Sequence, residues 1–173
     1  KVKIDAASQH FDLLSISGHK IGAPKGVGAL YIRRGTKLQP LMHGGMQDRG
    51  RRPGTENVAY AVALATAAEL TLAECDAECE RLRAMRDRLE LAILASVPDA
   101  VVHARGAERA PHVLNISVPG TDSESLLMVL DLQGIAASGG SACQSGSISP
   151  SHVLTAIGVS PDLAGAAAAE PER

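Results

Sequence analysis

Aromatic residues are almost absent from this chain. Its 173 residues hold no tryptophan, one phenylalanine (Phe11) and two tyrosines (Tyr31 and Tyr60). Any core must therefore be packed from Val, Ile, Leu and Ala. An excess of one charge is lacking too: the net charge is −2, which gives no electrostatic pull toward nucleic acid or an anionic membrane. No apolar run approaches the roughly 20 residues that span a bilayer. No basic-plus-hydrophobic leader opens the chain. Cysteine is scarce and odd in number, at three, which argues against a disulfide framework and predicts thiols in a reducing, cytoplasmic compartment. No internal repeat is present.

What is there is globular. Hydrophobic residues make up 45% and charged residues 21%, the balance of a soluble domain, or of parts of two. The chain opens on Lys1 and closes on an alanine-rich stretch, Leu163 to Arg173, that reads as a low-complexity tail. Both ends predict a piece of a longer protein.

The first half holds two strand-like runs, Phe11–Ser17 and Val27–Arg33, joined by a segment with Gly22, Pro24, Gly26 and Gly28 that predicts a tight hairpin-like connection. Residues 43–57, HGGMQDRGRRPGTEN, have no apolar periodicity and predict a polar loop. Thr55 or Asn57 then caps a helix that runs from Glu56 almost to Val97. One helix of that length would reach about 60 Å. The expectation is a break near Ala73–Asp76, or else a helix linking two domains, with Pro98 as the stop. Beyond it lie strands at Ala100–Ala104, Val113–Val118 and Ile135–Ala137. A helix at Glu124–Gln133 is capped by Asp122 or Ser123, and a last one spans Ser151–Ile157. Ser138–Ser149 is a Gly/Ser loop with Cys143 at its centre.

Three segments could carry chemistry. Lys20 ends an apolar strand and faces a glycine turn, with Ser17 and His19 beside it. A lysine becomes a useful nucleophile when burial or a neighbouring cation depresses its pKa, and a hydroxyl with an imidazole suits a phosphate. A solvated lysine at a strand end has the same local sequence. Arg49, Arg51 and Arg52 with Thr55 and a helix start form a candidate anion site, or a solvated surface loop. Cys143, among glycines and serines, has the accessibility of a reactive thiol, or is an ordinary one. Cys75 and Cys79 share a helix face, with no further ligands at metal spacing, and are read as incidental. His10, His43, His103, His112 and His152 form no constellation.

Taken together these segments resemble one family. Ser17-Gly18-His19-Lys20 with the following GAPKGVGALYIRRG is similar to the cofactor-lysine segment of cysteine desulfurases in the class-V aminotransferase group. HGGMQDRGRRPGTEN is similar to their second signature. SGGSACQSGS, followed by Pro150-Ser151-His152-Val153-Leu154, resembles the cysteine loop of the NifS/IscS branch. The resemblance covers residues 1 to about 163.

It implies an α/β chain of the pyridoxal-phosphate-dependent transferase fold type I. Residues 1–57 would be the end of the large domain. Residues 58–98 would be a linker helix or helix pair, and 99–173 a small C-terminal α/β domain. Lys20 would hold pyridoxal 5′-phosphate; Ser17 and His19 would contact it, mainly at the phosphate. Thr55 would reach the cofactor phosphate in the partner subunit of a homodimer. Cys143 would take sulfur from L-cysteine, leave L-alanine, and carry a persulfide to an iron–sulfur scaffold or a tRNA-thiolation protein. No resident metal is implied, although Cys143 would share in ligating a cluster on a scaffold through its persulfide. The acidic residue that pairs with the pyridine nitrogen would precede Lys1. The arginine that binds the substrate carboxylate has no counterpart in the alanine-rich tail. The chain alone is therefore expected to be inactive. The same sequence admits other readings. One is a selenocysteine lyase or an aminotransferase of the same class, although an aminotransferase needs no thiol at Cys143. Another is a non-catalytic remnant or acceptor-binding module.

Overall fold

The computed structural model describes residues 3–139 and 151–169. The chain divides into two compact units, Lys1–Ala77 and Glu78–Arg173.

In the first unit, strand β1 (Leu13–Ser17) pairs antiparallel with β2 (Gly28–Ile32), in a register that sets Leu14 opposite Tyr31 and Ser17 opposite Gly28. The branched and aromatic residues of both runs favour the pleated conformation. A 3-10 turn, Gly18–Ile21, follows β1 directly. The Arg33 guanidinium secures the segment before the hairpin. It donates to the carbonyls of Phe11 (2.9 Å), Ala6 (3.0 Å) and Gln9 (2.7 Å) and lies 5.9 Å from the Phe11 ring centroid. Phe11 meets Tyr31 edge to face at 5.7 Å, so the aromatics of this hairpin are clustered. Large apolar side chains on the hairpin nevertheless stay open, among them Leu13, Ile16 and Leu30.

Residues 43–57 contain a single turn, α1 (Gln47–Gly50), in which Asp48 (φ 47°), Arg49 (φ 60°) and Gly50 (φ 75°) are left-handed in succession. Helix α2 then runs without interruption from Val58 to Ser96, 39 residues. The break anticipated near Ala73–Asp76 does not occur. Its cap is Asn57, whose Oδ1 accepts the Tyr60 N–H at 3.2 Å. The helix is kept in register by local pairs such as Arg81–Glu78 and Arg83–Glu80. The less exposed positions recur at Thr71, Cys75, Cys79, Leu82, Arg86 and Glu90, so Cys75 and Cys79 lie on the same inward stripe. By length and composition α2 is also apolar enough to cross a membrane. Run length alone missed this, because scattered polar residues divide the apolar stretch.

The second unit contains a three-stranded antiparallel sheet, in the order β3 (Val101–Val102), β4 (Asn115–Ser117), β5 (Ala167–Ala169). Leu114 and Ile116, with Ala100, form its core against Ile93, Leu94 and Val97 of the end of α2. Helix α3 (Ser123–Leu132) starts at Asp122. The Ser125 N–H donated to its side chain at 2.8 Å holds that carboxyl below its usual range. Gly134 (φ 73°) follows its end. Helices α4 (His152–Ala156) and α5 (Pro161–Gly165) complete the unit.

Two expectations are corrected here. Ile135–Ala137 is not a strand; only Ser138 bridges, to Ala169. The alanine-rich stretch is ordered structure as far as Ala169. Ala164, Ala166 and Ala167 are 4%, 1% and 1% exposed, and Ala167–Ala169 is the strand that completes the sheet. Ala167 is buried in that strand, while Ala168 and Ala169 are half-buried.

Candidate functional site

The site is built on the turn that follows β1. Gly18 is buried, and its N–H donates to the Val27 carbonyl at 2.9 Å. A Cβ at that position would lie 2.6 Å from the same oxygen and 3.0 Å from Val27 Cγ1. Only glycine lets the turn sit this close to the returning strand. Gly28 meets the equivalent demand, since a Cβ there would lie 2.5 Å from the Ile16 carbonyl oxygen. Gly22 (φ 89°) closes the turn in the left-handed conformation, and Ala23 N–H bonds back to Gly18 O at 3.0 Å. From outside the hairpin, the Thr71 hydroxyl of α2 donates to the Ile21 carbonyl at 3.2 Å.

This scaffold brings three of the sequence-predicted residues together. Ser17, His19 and Lys20 are consecutive or near-consecutive on one short turn, and all three are exposed. A hydroxyl, an imidazole and a primary amine are therefore exposed within four residues of one another at one end of the hairpin. That donor set suits pyridoxal 5′-phosphate: an amine for its aldehyde carbon, and two hydrogen-bonding groups for its phosphate.

Thr55 lies on a different loop, exposed, with its carbonyl accepting from Arg52 Nη1 at 3.4 Å. The Arg52 guanidinium is a brace for that loop. Its Nε pairs with Asp48 Oδ2 at 3.0 Å, and its Nη1 also reaches the carbonyls of Pro53 (3.3 Å) and Gly54 (3.1 Å). The anion site read from Arg49, Arg51 and Arg52 thus loses one of its arginines to internal bracing. It also loses a helix N–H, which Asn57 already satisfies. Cys143 lies outside the described residues. The chain leading toward it is tied down at Ser138, which exchanges two backbone hydrogen bonds with Ala169, each 2.7 Å. Among the described residues no group of three or more His, Cys, Asp and Glu could hold a metal ion.

Sequence reasoning passed over a buried polar chain in the second unit. Ser117 is fully buried and its hydroxyl donates to the Leu163 carbonyl at 2.5 Å. That hydroxyl has one proton, so His103 Nε2, 2.6 Å away, must carry its own proton and donate to Ser117 Oγ. Burial holds the His103 pKa below its ordinary value. The alternation of Asn115-Ile116-Ser117 pointed the other way, placing Ser117 on the polar face, whereas Ile116 and Ser117 are both buried.

The family profile described as aminotransferase class-V matches residues 1–161. The chain belongs to the class-V aminotransferase family. Among curated class-V relatives, it is 48% identical over 159 residues to the cysteine desulfurase NifS of Azotobacter vinelandii, a match covering 92% of this chain and 40% of that one. It is 48% identical over 153 residues to the cysteine desulfurase IscS of Dictyoglomus turgidum, covering 88% and 39%. Among solved structures it resembles a NifS-like protein from Rickettsia africae, with TM-score 0.77, 30% identity and coverage of 92% and 41%. It also resembles DndA from Streptomyces lividans, with TM-score 0.67, 38% identity and coverage of 91% and 45%. The chain spans about 40% of the length of the curated relatives it matches. Its fold is accordingly part of the fold type I architecture of class-V enzymes, a family that works with pyridoxal phosphate.

Proposed function

We propose that the whole protein is a pyridoxal 5′-phosphate-dependent cysteine desulfurase, which takes sulfur from L-cysteine and releases L-alanine. The observation that carries this reading is the turn Ser17–Lys20, with its amine exposed beside a hydroxyl and an imidazole. The names of the relatives, cysteine desulfurase NifS and IscS, support it.

When bound, the cofactor supplies the electron sink for bond cleavage at the substrate carbon. Lys20 would hold the cofactor through its amine and, once displaced by the substrate amine, would be the base that moves the proton at the substrate Cα. Ser17 and His19 would hold the phosphate, and Thr55 would reach the corresponding phosphate in the partner subunit of a homodimer. Cys143, as thiolate, would attack the substrate sulfur; as the S–S bond forms the S–Cβ bond breaks, its electron pair stays with the carbon skeleton, which takes up a proton and leaves as L-alanine, and Cys143 would carry the persulfide to an acceptor protein for iron–sulfur cluster assembly or tRNA thiolation. A Gly/Ser-rich sequence around Cys143 suits a thiol that must serve two places. These steps take place in the cytoplasm. The 173 residues alone would not turn over, because they span about 40% of the length of the relatives they match.

The test is an assay of alanine and sulfide with added pyridoxal phosphate and cysteine, for the 173-residue chain and for the protein encoded by the whole gene. The whole protein should release both products. Lys20→Ala should abolish cofactor uptake, and Cys143→Ser should keep uptake but lose persulfide. A whole protein that binds no cofactor would refute the reading. Turnover by the 173 residues comparable with that of the whole protein would refute the claim that they are inactive alone.

A further inference from the structure

A short helical turn leaves its last carbonyls without partners inside the turn. In the turn Gly18–Ile21 the Gly18 carbonyl is satisfied by Ala23 N–H, at 3.0 Å, and the His19 carbonyl by Gly22 N–H, at 3.5 Å. The Ile21 carbonyl, one residue past Lys20, is taken by a side chain 50 residues further along, the Thr71 hydroxyl, at 3.2 Å. A threonine inside a helix ordinarily turns its hydroxyl back on its own backbone. Thr66 does so in the same helix, donating to the Val62 carbonyl at 3.1 Å, and Thr155 does so in α4, donating to Ser151 at 3.1 Å. Thr71 bonds outward instead, to the lysine turn. The contact is part-buried, whereas that of Thr66 is exposed, so water replaces it less readily.

We propose that Thr71 is a positioning residue for Lys20. Its hydroxyl fixes the peptide plane between Ile21 and Gly22. With the Gly18–Val27 bond at the other end, this clamps the turn on both sides of the lysine, and the amine leaves the backbone in one direction. The role attributed to Lys20 rests on the proposed pyridoxal-phosphate function; the clamping of the turn does not.

The experiment compares Thr71→Val, which keeps the shape and loses the hydroxyl, with Thr71→Ser, which keeps the hydroxyl, and with Thr66→Val as control. It uses the protein encoded by the whole gene. Amide hydrogen exchange is measured without cofactor, and pyridoxal-phosphate uptake is followed through the absorption band of the lysine-bound cofactor. Loss of one part-buried hydrogen bond should speed exchange at Gly22 and Ala23 about tenfold in Thr71→Val. It should weaken cofactor uptake by about three- to tenfold on the same energetic basis. Thr71→Ser should restore both, and Thr66→Val should change neither. Exchange and uptake in Thr71→Val that match Thr66→Val would overturn the proposal. So would loosening of the turn without any change in uptake. If the unmutated protein takes up no cofactor, the proposed function falls and the role of Thr71 toward the cofactor falls with it. The exchange contrast would then still decide whether Thr71 clamps the turn.

Discussion

Replacing Gly18 with alanine adds one methyl group at the point where the lysine turn meets β2. The added carbon would lie 2.6 Å from the Val27 oxygen, 3.0 Å from Val27 Cγ1 and 3.2 Å from Ala23 Cβ. The crowded oxygen is the one that receives the Gly18 N–H. It is backbone, so it cannot rotate aside as a side chain would. Gly18 is not among the positive-φ residues, so alanine meets no backbone strain there and the cost is purely one of space. Overpacking of this kind costs about 1–3 kcal/mol, and the hydrogen bond it displaces contributes about 0.5–1.5 kcal/mol. A loss of about 2–4 kcal/mol is expected. Both tyrosines, Tyr31 and Tyr60, belong to the first unit and there is no tryptophan, so tyrosine fluorescence reports the unfolding of that unit in urea. Gly22→Ala is the matched control: nothing lies within 4 Å of a Cβ there, but φ is 89°, so it should lose only the left-handed penalty of about 1–2 kcal/mol. Equal stabilities for Gly18→Ala and the unmutated chain would refute the argument that close approach selects glycine at this position.

Two further outcomes follow from the second unit. His103 is held neutral by burial, with its pKa below the ordinary 6.5. The unfolded chain takes up the proton first as pH drops, so this contribution to stability is complete above about pH 6.5 and is lost progressively as pH falls toward the folded pKa. Urea midpoints measured across that range should fall on acidification, and His103→Gln should flatten the slope; a slope unchanged by the substitution would count against it. Glu90, 5% exposed, pairs with Arg109 at 2.8 Å and Arg105 at 2.9 Å, whose side chains are 12% and 56% exposed. Glu90→Ala strands the Arg109 charge and should cost about 3–5 kcal/mol, whereas Arg105→Ala should cost less than about 1 kcal/mol. Chemical denaturation followed by circular dichroism would test that order, and a larger loss for Arg105→Ala would reverse it.

Local sequence conveyed the hairpin and α3 through their apolar patterning and stop signals; the long helix was legible from its Ala, Leu, Glu and Arg content and Pro98, although its continuity through Ala73–Asp76 was not. The lysine turn was legible as a composition: a strand end, then glycines. The reason for Gly18 was not, since it depends on Val27 returning to within hydrogen-bonding distance. Distance along the chain also hid Thr71, whose partner is 50 residues away, and Arg52, which looked like an open cation and proved to be a brace. The alanine stretch misled for a different reason. Low complexity usually signals a segment that cannot bury enough surface to fold, but here the burial is supplied by the sheet and by Leu154 and Val159. Ile135–Ala137 has one branched residue and two alanines, which carry little strand preference, and among the described residues it pairs with no strand.

The hairpin has one more consequence. Among the described residues β1 and β2 pair only with each other, so each has an outer edge of unmade backbone bonds, and a lone two-stranded sheet is marginal in water. The lysine turn hangs from that sheet by the Gly18–Val27 bond. Ordering of the turn and pairing of the strands are therefore one equilibrium. By linkage, anything that adds to the sheet edge or covers Leu13, Ile16 and Leu30 strengthens what the turn can hold, and whatever the turn holds tightens the sheet by the same free energy.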